Sequence, residues 1–250
     1  MQLNFASCPA QDLVWETFAW GAENARLSGY VEEAKIQWRI AKDISEGFDK
    51  SDPRLASSLN SLGVCHHMMG NIEEARSLYF KSLSAWNLAA AWVARIPLQL
   101  RATSVNFHFG LQQRYRHQLT ALGRNRYRTL VAAGEAATKN NLACLLISND
   151  CISDAKPLIC TAPELWRAAI GSRDEGLAII YLNLGMFFEA NDQSAEALQA
   201  RKHADEIRRN PSPSRMLRFS QDCSLKMTDE RRLKAAIYLG AGPYVGAAIE

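Results

Sequence analysis

A turn followed by an acid and an alanine returns four times along this chain, and few folds accommodate such a repeat. The copies are Gly29-Tyr30-Val31-Glu32-Glu33-Ala34, Gly70-Asn71-Ile72-Glu73-Glu74-Ala75, Asp150-Cys151-Ile152-Ser153-Asp154-Ala155 and Asp192-Gln193-Ser194-Ala195-Glu196-Ala197. Ala34 and Ala75 lie 41 residues apart, Ala75 and Ala155 80, and Ala155 and Ala197 42. A fixed period of this length is the signature of a stacked repeat architecture. Each copy reads as the corner of a helical hairpin. The Gly or Asp supplies the left-handed backbone that ends one helix. The acid then falls in the first turn of the next helix, near its positive end. The small Ala lets the two helices come close.

The flanking residues agree. Leu62-Gly63, Leu142-Ala143 and Leu184-Gly185 each place their Leu eight residues before the turn. Trp38, Tyr79 and Ile159 each follow the corner Ala by four, on the same helix face. The interval of 80 reads as two periods of 40, which predicts a hidden turn near residue 110. Gly110 stands there, with Tyr115 at the Ala position. No period-2 strand pattern interrupts the series.

These residues resemble the tetratricopeptide-repeat family. Asn183-Leu184-Gly185 with Phe188, Ala197, Ala204 and Pro211 follows its order of Leu-Gly, aromatic, turn, Ala, Ala and Pro, and Leu62-Gly63, Ala75 and Tyr79 do so too. The period near 41 is similar to the longer repeats of kinesin light chain, as are Asn140-Asn141-Leu142-Ala143-Cys144-Leu145-Leu146 and Ala155-Lys156-Pro157-Leu158. Three places depart from the pattern. Gly21-Ala22 stands where Leu-Gly is expected, the third copy keeps only Gly110, and Arg201 replaces the second-helix aromatic. The resemblance implies an all-α fold, a right-handed α-α superhelical solenoid of about five repeats over 1–210. They fall near 15–52, 56–94, 96–135, 136–175 and 178–210, the third degenerate. Residues 211–227 read as a linker. Thr228-Asp229-Glu230 opens a short capping helix to about Leu239.

In that family the first helix of each pair lines a concave groove. Carried over by position, the resemblance implies a partner-binding groove of Asn60, Ser61, His67, Arg101, His108, Asn140, Asn141, Asn183 and Met186, with Ser57, Val64, Ser104, Cys144, Leu182 and Glu189 beside them. Side-chain amides can bond a peptide backbone without reading its side chains. Equally, they can be solvated groove residues and no more. The Lys/Arg/Asn set of carboxylate-clamp co-chaperones is not reproduced.

Charge is unevenly spread. Net charge is +3, yet residues 75–134 hold nine Lys and Arg and no acid, which leaves the remainder at −6. Eight of the nine are Arg, the side chain suited to bidentate carboxylate or phosphate binding. Arg114, Arg116, Arg124, Arg126 and Arg128 are interleaved with Tyr115, His117 and Tyr127. An acidic protein partner fits this stretch best. Neutralisation by acids of neighbouring repeats is the plain alternative, and a nucleic-acid backbone or anionic lipid is a third. Trp86, Trp92, Ile96 and Leu98 beside Arg95 and Arg101 read either as an interface or as the core of a lengthened helix.

Catalytic and cofactor signals are weak. Adjacent His66 and His67 point about 100° apart on a helix and cannot easily share a metal ion, and no zincin spacing is present. Neither a phosphate-binding glycine loop nor a G-x-S-x-G elbow occurs. A Cys–His nucleophile pair has no orienting acid at a telling spacing. No cofactor or metal is therefore expected. The six Cys form no C-x-x-C pair. The apolar run Ser82–Ala94 is too short to span a bilayer, and residues 1–10 carry no Lys or Arg, unlike a signal peptide. Together these readings point to a cytoplasmic, non-catalytic adaptor or assembly factor that binds a protein or peptide. Self-association stays open, and a nucleic-acid module or a cryptic enzyme are the alternatives.

Overall fold

A computed structural model describes residues 9–48, 50–95 and 121–211, with side chains over 14–48, 50–94 and 128–211. The described residues form eight α-helices and no strand: α1 Pro9–Leu27, α2 Val31–Glu46, α3 Pro53–Met68, α4 Ile72–Arg95, α5 Ala121–Ser148, α6 Ile152–Ala169, α7 Glu175–Ala190 and α8 Ser194–Arg209. They pair as hairpins, α1 with α2, α3 with α4, α5 with α6 and α7 with α8. The second helix of each hairpin packs on the first helix of the next. The result is a helical repeat solenoid.

All four corners share one geometry. Gly29, Gly70, Asp150 and Asp192 have φ of 85°, 77°, 61° and 57°, the left-handed region. The residue after each donates its N–H five residues back: Tyr30 to Ala25, Asn71 to His66, Cys151 to Leu146 and Gln193 to Phe188, at 2.8–2.9 Å. This is the Schellman closure, which satisfies the carbonyls at a helix end. The carbonyls of Tyr30, Asn71, Cys151 and Gln193 then accept from Ala34, Ala75, Ala155 and Ala197, starting the second helix. All four alanines are buried, as are Trp38, Tyr79 and Ile159 one turn further on. At Gly63 an added Cβ would lie 2.9 Å from the Tyr79 ring. The small residue of the Leu-Gly pair therefore makes room for the large one across the hairpin. In the last hairpin Arg201 fills the aromatic's place with its stem, packed at Gly185, while its guanidinium pairs with Glu189 at 2.6 Å.

The described helices make four hairpins, and most of the third of the five expected repeats lies outside the described residues. The expected break at 135/136 falls inside α5, which runs unbroken from 121 to 148. α4 packs directly on α5. Of the expected repeat 96–135, residues 96–120, Gly110 included, lie outside the described residues, and 121–135 are the first half of α5. α4 has 24 residues and α5 28, against 16 to 19 in the other six helices. The two helices that flank residues 96–120 are thus both lengthened, and they pack on each other. Trp86 belongs to the core of this extension. Its Nε1 donates to Thr138 Oγ1 at 3.1 Å, and its ring covers Gly134, where an added Cβ would lie 2.1 Å away. Ala85, Ala89, Val93 and Val131 pack around it.

A buried charge marks the junction of the first two hairpins. Asp52 caps α3 by accepting from the Arg54 N–H at 3.0 Å. Its two oxygens also take the Arg54 guanidinium at 2.9 and 2.8 Å. Arg54 is fully buried, 3.7 Å from the Phe48 ring centre. Residues 212–250, with the expected linker and capping helix, lie outside the described residues.

Candidate functional site

The first helices bring the predicted asparagines into one row. Asn183 of α7 donates through Nδ2 to Asn140 Oδ1 of α5 at 3.0 Å. Asn140 donates to its neighbour Asn141 at 3.4 Å, and Asn141 donates to Asn60 Oδ1 of α3 at 3.1 Å. Residues 81 and 43 apart in sequence are thereby joined across three hairpins, both donors between helices pointing towards the preceding hairpin. The stacking explains the reach. Asn141 and Asn183 directly precede the Leu of the Leu-small pair, and Asn60 and Asn140 precede it by two, so each bond between helices joins the first of these positions to the second on the preceding hairpin.

The row is not the solvated surface that one sequence reading allowed. All four asparagines are at most 1% exposed. Ser57, Ser61 and Val64 of α3 and Cys144 of α5 are buried with them. One polar atom of the row stands apart: Asn183 Oδ1 is buried and has no hydrogen-bond partner among the described residues. An unpaired buried acceptor costs roughly 1–3 kcal/mol, so native structures rarely keep one. Beyond it the face opens: Leu182 and Met186 are half-buried and Glu189 is exposed.

His67 is buried rather than presented. Its Nδ1 lies 3.5 Å from the Tyr79 hydroxyl, and burial holds its pKa down at about 4, so the ring is neutral near pH 7. His66 is half-buried, and its pKa is lowered chiefly by burial. No group of three metal-ligating side chains occurs among the described residues. Burial pushes the Cys144 thiol well above its ordinary range, which opposes a thiolate there.

Of the predicted acidic-partner contacts, Arg128 is exposed and makes no ion pair with a described acid. Arg124 and Arg126 lie on α5, but their side chains are outside the described residues. Arg101, His108, Arg114 and Arg116 lie wholly outside them. Missed at the sequence level were the bonds among the asparagines and the buried Arg54. The phase relative to Leu62, Leu142 and Leu184 was the available signal for the former.

No protein-family model and no curated protein matches the chain. Among solved structures, the crystal structure of BtubC (BKLC) from P. vanneervenii superposes with a TM-score of 0.56 at 17% identity, covering 85% of this chain and 67% of that one. The fold is accordingly that of a TPR-like helical repeat protein. No helix among the described residues is long and apolar enough to cross a membrane.

Proposed function

We propose that this chain is a non-catalytic, cytoplasmic adaptor that binds an extended segment of a partner protein along the first helices α3, α5 and α7. The observation that carries the reading is Asn183 Oδ1, a buried acceptor without a donor at the end of an amide row. A peptide N–H is the donor that fits it. Asn140, Asn141 and Asn60 keep their bonds to one another and hold Asn183 in place. Exposed, unpaired Arg128, within the acid-free stretch 75–134, favours an acidic partner.

The test is affinity purification of the full chain with nuclease treatment, then titration of the recovered protein against Asn183→Ala and Arg128→Glu. Binding should weaken about tenfold or more in Asn183→Ala, with helical content unchanged. Arg128→Glu should weaken it mainly at low salt. Unchanged affinity in Asn183→Ala overturns the groove. Loss of all bound material to nuclease, with absorbance at 260 nm beforehand, would transfer the reading to nucleic acid.

A further inference from the structure

We propose that residues 228–239 dock on the outward face of α7, with Asp229 and Glu230 seated in a basic cleft at the mouth of the last hairpin. α7 is apolar nearly all round, as befits a helix covered on every side. Leu177, Ile180, Leu184 and Phe187 are buried, but Ile179, Leu182 and Met186, at i, i+3 and i+7, are only half-buried. Among the described helices α7 meets α5, α6 and α8. The remaining side is where a further hairpin would stack, and a solenoid end needs a cover with a polar outer face.

The chain itself supplies a fitting occupant. Thirty-nine residues follow Pro211. Within them Thr228-Asp229-Glu230 followed by Arg231-Arg232-Leu233-Lys234-Ala235-Ala236-Ile237 reads as a helix start with one apolar stripe, Leu233, Ala236 and Ile237. The proposed orientation continues the alternation of the stack: the helix runs antiparallel to α8 and parallel to α7, so its first turn lies beside the start of α7 and the end of α8. A cleft of about 480 Å³ sits there, lined by Arg167, Arg173, Tyr181, His203, Arg209 and Asn210 among others. Arg173 and Arg209 make no ion pair with a described acid. Arg167 is held by Glu164, and the lining acid, Glu206, lies 3.7 Å from His203. Two unpaired arginines therefore face the two acids of the incoming turn. The connection 211–227 spans up to about 55 Å when extended, and tethering holds the segment at an effective concentration in the millimolar range.

Hydrogen exchange on the full chain tests this. Amides of 231–239 should exchange about tenfold or more slowly than an unstructured peptide, at every protein concentration. Ile237→Asp should abolish that protection and speed exchange across 179–186 while α3 and α5 stay unchanged. Arg173→Glu with Arg209→Glu should weaken it, and adding Asp229→Arg with Glu230→Arg should restore it. Unprotected 231–239 in the wild type overturns the proposal. So does a charge swap that restores nothing, or protection that grows with concentration, which would mean a second copy occupies the face.

Discussion

Asn141 shows how one residue's role depends on its surroundings. As a solvated groove amide it could be removed at no cost to the fold. Buried and donating to Asn60 at 3.1 Å, it ties α5 to α3. Asn141→Ala should therefore destabilise the chain by about 1–3 kcal/mol, read as a lower denaturant midpoint at constant m-value; an unmoved midpoint would mean the row holds nothing together. Arg54→Ala should cost more, about 3–5 kcal/mol, because it removes the guanidinium that balances the buried Asp52 carboxylate; calorimetry showing a near-neutral change would contradict the described junction. His67 gives a pH dependence. Its folded pKa of about 4 lies below the ordinary 6.5, so the unfolded chain binds the proton more readily. The neutral ring's contribution is complete above about pH 6.5 and lost as pH falls towards 4. Between pH 7 and 5 this amounts to about 2 kcal/mol. Chemical denaturation of wild type and His67→Leu at both pH values should show the wild type losing more on acidification, and equal losses would contradict a buried neutral His67.

Helices and turns were the most legible level. Gly29, Gly70, Asp150 and Asp192 could be identified because a left-handed corner restricts its residue type, and the corner alanines because the hairpin leaves no room for more. Asp tolerates φ near 60° less well than Gly, so Asp150→Gly and Asp192→Gly should each stabilise by a few tenths to about 1 kcal/mol; lower melting temperatures would contradict the corner geometry. The third repeat rested on Gly110 and the interval of 80, and residues 96–120 lie outside the described residues. The lengths of α4 and α5 were not legible, because no turn signal marks where a lengthened helix ends. Trp86 against Gly134 depends on that length, since this contact exists only where α4 packs on α5. Gly134→Ala should destabilise by about 1–3 kcal/mol through overpacking, and Trp86→Leu should relieve the clash. Additive effects in that double-mutant cycle would place the two residues apart.

At the scale of the whole molecule, the four hairpins of the described residues stack so that their first helices lie side by side, and the asparagine row is a product of that repetition. The fold was readable from periodicity, and the asparagines' place on the first helices from the family resemblance. The bonds within the row were not, because they depend on how the stacked helices are offset. The same stacking leaves one acceptor without a donor, and the proposed function rests there. The most direct measurement is NMR of the free and partner-bound chain labelled with ¹⁵N at asparagine, the four side-chain amides assigned by substitution. The Asn140, Asn141 and Asn183 NH₂ groups should exchange slowly with water in the free chain, and partner binding should shift Asn183 most. Fast exchange in the free chain, or a bound partner that leaves Asn183 unmoved, would contradict the account.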